Sequence, residues 1–276
     1  MIYNITPTKT LGPRTARLFT ELHERGQRVF DTQTAAKAMG VSPAHAAVLL
    51  HEAKKRGLVT PIKRGLYNLV PFELGKSYSH LEDRHTLVHA DMGERPYFFS
   101  HYSAMDLHQL ITQPIFTLYV TTKDRLLNRN LGGTRVRFIT VKPKQFFGLE
   151  AMRVGENNVH LSNLSRTLLD GLRKPKYCAG ITEVAKAFFM AKDRIDIQQL
   201  IEYAHRLEEL AVIRRLGFIV EALFPELSAP LEALRVQLPR SFVLLEPDMP
   251  SMGVFDSRWG LRLNVPKESL LAAVST

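Results

Sequence analysis

Glycines at positions 26, 40, 57 and 65 divide the first 75 residues into short segments. In the first three segments, apolar residues recur at three- and four-residue spacing, which is typical of amphipathic helices. A glycine just past such a segment commonly ends a helix. The pattern therefore predicts three short helices in succession, with a short extended piece at residues 28–30 before the second.

The third predicted helix has the clearest start signal. Ser42 is a favourable N-cap and Pro43 suits the first helical position. Ala47, Leu49, Leu50 and Ala53 follow at helical spacing and are assigned to its buried face.

A hairpin is predicted after the third helix. Residues 58–62 and 66–70 are rich in apolar and β-branched residues, and Lys63-Arg64-Gly65 joins them with a glycine suited to a tight turn. Three helices followed by a hairpin with a basic tip are the element order of a winged helix-turn-helix. We therefore predict a winged helix-turn-helix DNA-binding domain over residues 1–75.

Positive charge is concentrated in this segment. The 276 residues carry 37 Lys and Arg against 27 Asp and Glu, a formal net charge of +10. Residues 1–75 hold 11 of these cations and 5 of the acids, which makes this segment +6. Clustered cations attract polyanions such as DNA, although basic residues also serve solubility alone.

The predicted DNA contacts lie on the third helix and at the hairpin tip. The start of a recognition helix faces base edges, where Ser, His and Ala can hydrogen-bond a base or touch a thymine methyl. Lysines further along, and cations on the wing, meet phosphates or enter the minor groove. The predicted set is Ser42, Ala44, His45, His51, Lys54, Lys55, Lys63 and Arg64. The alternative is an ordinary solvated helix end that the helix dipole favours.

The remainder of the chain mixes helical and extended patterns. Residues 71–80 contain Pro, Gly and Ser and predict a linker. Helical patterns cover 80–90, 100–110, 162–172, 181–191, 197–204 and 208–224, and extended ones cover 96–99, 117–121, 135–141, 242–245 and 261–265. Residues 128–133 are polar and contain glycine, which predicts a loop. The fold class is therefore α+β, with a larger mixed α+β domain over residues 76–276.

A second set of cations lies within residues 125–144. Arg135 and Arg137 alternate with Val136 and Phe138, so both arginines belong on the exposed face of a strand. The second basic set comprises Arg125, Arg129, Arg135, Arg137, Lys142 and Lys144. It predicts a surface for nucleic acid or for an acidic partner, with an ordinary solvated strand and loop as the alternative.

Catalytic and metal-binding motifs are missing from the sequence. A P-loop, a G-x-G-x-x-G fingerprint, a G-x-S-x-G elbow and the acidic motifs of nucleases and nucleotidyltransferases do not occur. His85 and His89 share a helical face, but a metal site needs further ligands. We therefore predict no catalytic residue, no metal and no cofactor; a metal-dependent nuclease is the enzyme alternative.

The cysteine count and the hydropathy of the chain indicate its cellular compartment. The single Cys178 excludes a disulfide framework. No run of about 18 apolar residues occurs, as a membrane span requires, and the start MIYNITPTKT lacks the apolar core of a signal peptide. We expect a cytoplasmic protein with no membrane partner.

Four ordered pieces of the sequence resemble the AbiEi-type antitoxins of bacterial abortive-infection toxin–antitoxin systems. Gly65-Leu66-Tyr67 closes the wing, and residues 100–104 (SHYSA) are similar to the family's S-x-x-S-A helix. Residues 165–170 (SRTLLD) are similar to E-R-T-L-L-D, and residues 215–218 (RLGF) to R-L-G-Y. The resemblance covers nearly the whole chain, with Ser165 standing where an acidic residue is expected.

The resemblance implies a DNA-binding transcriptional autorepressor and antitoxin that acts in phage defence. Its partners would be double-stranded DNA of its own promoter, at inverted repeats, and a nucleotidyltransferase-like toxin that it counteracts without a stable complex. The N-terminal domain would suffice for DNA binding, and the C-terminal domain would be needed for antitoxin action. An ordinary winged-helix regulator with a ligand-sensing or oligomerising second domain is the alternative.

Two of the similar pieces also have a physical interpretation. Arg166 and Asp170 stand at i,i+4 and are predicted to form a structural ion pair. Gly217, within an apolar helix, predicts a close helix crossing.

Overall fold

The computed structural model describes residues 9–75, 77 and 79–274. Over these residues it has a mixed α+β fold, as the sequence predicts, and it divides into two compact units. The first unit takes in the residues up to Arg95, together with Arg129–Val136 and Met152–Val159. The second comprises Pro96–Asn128, Arg137–Ala151 and the residues from His160 onward. The domain boundary after residue 75 stays a prediction.

The first unit opens with three helices, α1 (Pro13–Glu24), α2 (Thr32–Met39) and α3 (Pro43–Lys55). Asp31 caps α2 by accepting the Thr34 backbone N–H at 2.7 Å, and Gly40 ends it at a φ of 65°. Ser42 caps α3 by accepting the His45 backbone N–H at 3.3 Å. The predicted order of helices, the predicted Ser42 cap and the predicted end of α2 at Gly40 are confirmed.

The core of the first unit lies between these helices and a small sheet. Leu18, Leu22, Phe30, Leu50 and Leu58 are each at most 1 % exposed. The buried stripe of α3 is Ala46, Leu50 and Ala53. The assignment of Ala47 to this stripe was wrong, because Ala47 is exposed and its neighbour Ala46 faces the core.

Three strands form the sheet of the first unit: β1 (Val29–Asp31), β2 (Val59–Lys63) and β3 (Leu66–Leu69). They are antiparallel in the order β1-β3-β2. The predicted β2–β3 hairpin is present, with Gly65 in the turn at a φ of 80°.

The first unit continues into the predicted linker and beyond it. Residues 1–8, 76 and 78 lie outside the described residues, and Phe72–Leu74 form a short 3₁₀ helix. Helix α4 (Arg84–Met92) begins later than the pattern predicts, because Asp83 caps it through the His85 backbone N–H at 2.8 Å.

Residues 128–133 do not form the predicted loop. Strand β6 (Arg129–Leu131) pairs with the start of β7 (Thr134–Thr140) in an antiparallel hairpin. Gly132 and Gly133 make its two-residue turn at φ values of 55° and 90°. Because the glycines form the turn itself, the polar residues before them are free to join a strand.

A six-stranded sheet has the order β6-β7-β5-β4-β9-β8. Its other members are β4 (Tyr97–Phe99), β5 (Thr117–Thr122), β8 (Leu149–Val154) and β9 (Asn157–Ser162). Strand β4 pairs antiparallel with β5 and parallel with β9. Strands β8 and β9 were not predicted from the sequence. Strand β8 has no fully buried residue, and its alternation of apolar and polar residues is therefore too weak to indicate a strand.

Seven helices belong to the described part of the second unit. They are α5 (His101–Leu107), α6 (Leu164–Arg173), α7 (Ile181–Met190), α8 (Ile197–Leu207), α9 (Leu210–Leu223), α10 (Glu232–Val236) and α11 (Lys267–Val274). A small sheet of β10 (Val243–Leu244), β11 (Val254–Asp256) and β12 (Leu261–Leu263) has the order β10-β12-β11. Helix α6 is at the centre of these helices, and all of Ser165–Leu172 is buried.

A buried guanidinium on α6 connects the helix to the chain before β8. Arg166 is fully buried, and its Nε donates to Asp170 Oδ1 at 3.0 Å. Its Nη1 donates to the carbonyl oxygens of Gln145 at 2.7 Å and Phe147 at 3.0 Å. The predicted Arg166–Asp170 pair is therefore confirmed, and it is structural.

The segment at residues 214–217 is also structural. Arg215 donates to the carbonyl oxygens of Leu172 at 2.9 Å and Leu245 at 3.0 Å. A Cβ on Gly217 would overlap the ring of Trp259. The predicted close approach is real, but the partner is this buried ring and not a second helix.

Replacing Asp170 by alanine should destabilise the second unit by about 3–5 kcal/mol, because it leaves the Arg166 guanidinium buried without its counter-charge. Urea unfolding followed by the fluorescence of Trp259, the single tryptophan, measures this. The control is Asp248→Ala, which removes the acid of an exposed Lys176–Asp248 pair in the same unit, each side chain being 44 % exposed. Similar destabilisation in the two variants would contradict a structural role for the buried pair.

Candidate nucleic-acid interface

Helix α3 has a buried side and a solvent-exposed side. Opposite its buried stripe, Ala44, Val48, His51 and Lys55 follow one another at i, i+4, i+7 and i+11. All four are exposed, and Val48 is 58 % exposed. We call these four residues the outward face of α3. Its first two residues are apolar and its last is a lysine.

The helix residues predicted as DNA contacts are all exposed. Ala44, His45, His51, Lys54 and Lys55 face solvent. Ser42 is exposed as well, but its Oγ already accepts the His45 backbone N–H. One lone pair of its hydroxyl oxygen is therefore engaged in capping, and the hydroxyl proton and the second lone pair remain for a base or phosphate.

Two arginines of α1 lie beside the start of α3. Arg14 Nη1 is 3.4 Å from His45 Nε2. A Cβ placed on Gly40, in the turn between α2 and α3, would be 3.6 Å from Arg17 Nη1. Neither arginine was predicted from the sequence as a contact. The signal that could have identified them is a pair of arginines at i,i+3 on the polar side of a helix whose opposite side carries the buried Leu18 and Leu22.

The last turn of α3 provides two further exposed cations. Arg56, just past it, donates to the Glu52 carbonyl oxygen at 3.4 Å and to the Thr10 carbonyl oxygen at 3.3 Å. The same guanidinium is 3.9 Å from the carboxylate of Glu52, the acidic residue of α3. Lys54 and Lys55 have no ion-pair partner within the described residues, so their charge is directed to solvent.

The two cations predicted as wing contacts, Lys63 and Arg64, have different surroundings. Lys63 forms an ion pair with Asp91 of α4, whose side chain is fully buried. Arg129 Nη1 approaches the other oxygen of the same carboxylate at 3.3 Å. Arg64 is exposed and has no ion-pair partner in the described part of the chain. Lys63 therefore has a structural partner, and Arg64 is the cation that faces solvent.

The second basic set is partly engaged in contacts within each unit. Arg135 and Arg137 are exposed while Val136 and Phe138 are buried, as predicted for the strand. Arg137 lies 4.6 Å from the centre of the Tyr177 ring, Lys144 pairs with Glu208 and Arg129 with Asp91. Arg125, Arg135 and Lys142 are left without an ion-pair partner among the described residues.

The reactive side chains that the sequence offers lie in packed surroundings. Cys178 is fully buried, and burial raises the pKa of its thiol. His101 is buried beside Ser100 Oγ at 3.0 Å, and burial lowers its pKa to about 4, so the ring is neutral at neutral pH. Both groups are therefore uncharged at neutral pH and held within packing.

The histidine pair at positions 85 and 89 does not gather further ligands. His85 is buried, with Nδ1 2.9 Å from Asp83 Oδ1. Over the described ranges, no group of three or more His, Cys, Asp or Glu is placed to hold a metal ion. No helix in the same ranges has the length and apolar character of a membrane span.

Comparison with known proteins bears on the N-terminal segment and on the fold. Residues 18–70 match the model of a family described as transcriptional regulator, AbiEi antitoxin. The resemblance is thus confirmed over the segment from α1 to the end of β3. No curated protein matches the sequence significantly.

A solved structure shares the fold over nearly the full chain. It is the crystal structure of the RV2827C protein from Mycobacterium tuberculosis, with a TM-score of 0.70 and 12 % sequence identity. The similarity covers 97 % of this chain and 96 % of that chain. At this identity the similarity concerns the fold alone.

The two hairpin cations should respond differently to substitution. Lys63→Met should lower the free energy of unfolding of the first unit by about 1–3 kcal/mol, because it removes a partner of the buried Asp91 carboxylate. Arg64→Ala should leave stability unchanged, because its side chain is exposed and has no ion-pair partner over the described ranges. Thermal unfolding followed by far-ultraviolet circular dichroism checks both, and equal destabilisation would contradict the division of roles.

Proposed function

We propose that this protein is a DNA-binding transcriptional autorepressor whose residues 1–75 act as a winged helix-turn-helix. In this proposal α2 and α3 are the helix-turn-helix, α3 enters the major groove and the β2–β3 hairpin is the wing. The observation that carries it is the outward face of α3, which is exposed along its length and flanked by cations that have no ion-pair partner in the described part of the chain. The matching family of transcriptional regulators supports it.

The proposed contacts divide by chemistry. Ser42, the N-cap of α3, and Ala44 and His45 in its first half face the bases, and His51 follows further along the same helix. Lys54, Lys55 and Arg64 bind phosphates, and the structure adds Arg14 and Arg17 to this group because both lie beside the start of α3. Lys63 positions the hairpin through Asp91 and is no longer proposed as a direct contact.

We further propose that the protein is the antitoxin of a bacterial abortive-infection system. The matching family is described as an antitoxin as well as a regulator. The partner would be a nucleotidyltransferase-like toxin that is counteracted in the cytoplasm without a stable complex, through the predicted domain at residues 76–276. Of the second basic set, Arg125, Arg135 and Lys142, which have no ion-pair partner among the described residues, are proposed to contact an acidic partner or nucleic acid.

DNA binding is tested with the triple variant Lys54→Ala/Lys55→Ala/Arg64→Ala on the protein's own promoter fragment. We expect weaker binding and a salt dependence, log K against log salt, that is shallower by about 1 for each phosphate that the variant no longer neutralises. Fluorescence anisotropy at several salt concentrations measures both quantities. All three residues are exposed and none has an ion-pair partner among the described residues, so the fold is expected to persist.

A second triple variant controls for net charge. Lys192→Ala/Arg240→Ala/Lys267→Ala removes the same charge from exposed positions in the second unit. It should bind the promoter with nearly the wild-type salt dependence. If affinity and slope fall equally in the two triple variants, binding depends on net charge alone and the assigned surface is wrong.

Antitoxin action is tested by co-expression with the neighbouring toxin candidate, both from unrelated promoters so that repression plays no part. We expect the wild type to restore growth, and the Lys54→Ala/Lys55→Ala/Arg64→Ala variant to restore it equally, because toxin neutralisation is assigned beyond residue 75. Loss of rescue by this variant at equal protein level would move neutralisation to the DNA-binding face. Failure of the wild type to rescue would favour an ordinary regulator.

A further inference from the structure

The first half of the outward face of α3 is apolar. Ala44 and Val48 point away from the buried stripe, and Ala47 is exposed beside them. Val48 is the largest of the three and is 58 % exposed. A β-branched residue on the solvent side of a helix has low helix propensity and adds no core packing. The presence of Val48 at this position is therefore not explained by the stability of the first unit.

Cations lie near both ends of this apolar strip of Ala44, Ala47 and Val48. Arg14 and Arg17 lie near its start, and Lys54 and Lys55 lie at its end. A major groove presents the complementary arrangement, with phosphates at the two edges and base edges between them. The charge pattern therefore fits duplex DNA with the apolar strip over the bases.

The side chains of the strip indicate which base it can recognise. Bidentate recognition of guanine uses Arg or Lys, and that of adenine uses Asn or Gln. None of these side chains occurs between Ala44 and His51. The apolar group that a base presents in the major groove is the C5-methyl of thymine, which alanine and other apolar side chains contact.

We propose that α3 recognises thymine through its C5-methyl group, with Val48 as the central contact and Ala44 and Ala47 beside it. The proposal rests on the proposed function, because it requires α3 to lie in the major groove. His45 and His51 border the strip and supply its hydrogen-bonding groups. The operator half-site would accordingly carry thymines opposite Val48.

The test compares the promoter fragment with the same fragment in which deoxyuridine replaces thymidine, which removes the methyl groups and keeps the base pairing. Wild-type protein should bind the uracil fragment about fourfold more weakly for each methyl group that α3 buries. In Val48→Ala the ratio of thymine to uracil affinity should fall towards one. Val48→Thr, which keeps the side-chain shape and one methyl group, should give an intermediate ratio.

Lys55→Ala is the matched control on the same helix. It removes a proposed phosphate-binding cation, so it should weaken binding to both fragments by the same factor and leave the ratio unchanged. Because Val48 and Lys55 are both exposed, circular dichroism of the variants should match the wild type.

The outcomes separate this inference from the function on which it rests. Equal wild-type affinity for the two fragments overturns the recognition of thymine methyl groups while leaving DNA binding intact. A uracil effect of the same size in Val48→Ala and in the wild type overturns the assignment to Val48. Absence of binding to either fragment overturns the proposed function and this inference together.

Discussion

The arrangement of the first unit depends on one buried carboxylate. Asp91 is fully buried on α4, and burying an ionised carboxylate is costly unless it is paired. Lys63 of β2 and Arg129 of β6 supply the two opposing charges. This requirement ties the β2–β3 hairpin and the β6–β7 hairpin to α4, and it engages Lys63, whose side chain is 33 % exposed, in an ion pair within the unit. The neighbouring Arg64 is the hairpin cation that remains for a ligand.

The second unit also buries charged groups, and there the buried charges are arginines whose hydrogen bonds go to backbone carbonyl oxygens. Arg166, Arg214 and Arg215 are buried, and each donates to carbonyl oxygens of distant segments. The pieces at residues 165–170 and 215–218, which carry much of the resemblance to AbiEi-type antitoxins, are therefore explained by packing: they hold α6, α9 and the strands near β10 together. Because these pieces are buried and structural, they account for the fold of the second unit. Any binding function of that unit has to come from its exposed residues.

The sequence predicted the first unit well because its signals are local. The Ser42 cap, the glycine at 40 and the Gly65 turn each act within a few residues, and the structure has them where the pattern places them. The misses involve partners distant in sequence. Nothing near Lys63 indicates that Asp91 binds it, and nothing near Gly217 indicates the ring of Trp259. The assignment of Ala47 to the buried face of α3 failed for a smaller reason: a run of alanines does not determine which side of a helix is buried until the rest of the core is in place.

The same distinction governs the candidate interface. Composition and charge located it on α3 and on the hairpin, but could not divide its cations by role, because a paired and an unpaired lysine look alike in sequence. The structure makes that division, since Arg56 and Lys63 have intramolecular partners whereas Lys54, Lys55 and Arg64 have none among the described residues. Cations that bind phosphates contribute affinity without regard to sequence. Under the proposed function, discrimination between promoters then comes from the residues between these cations, which on this helix are two histidines and a strip of small apolar side chains.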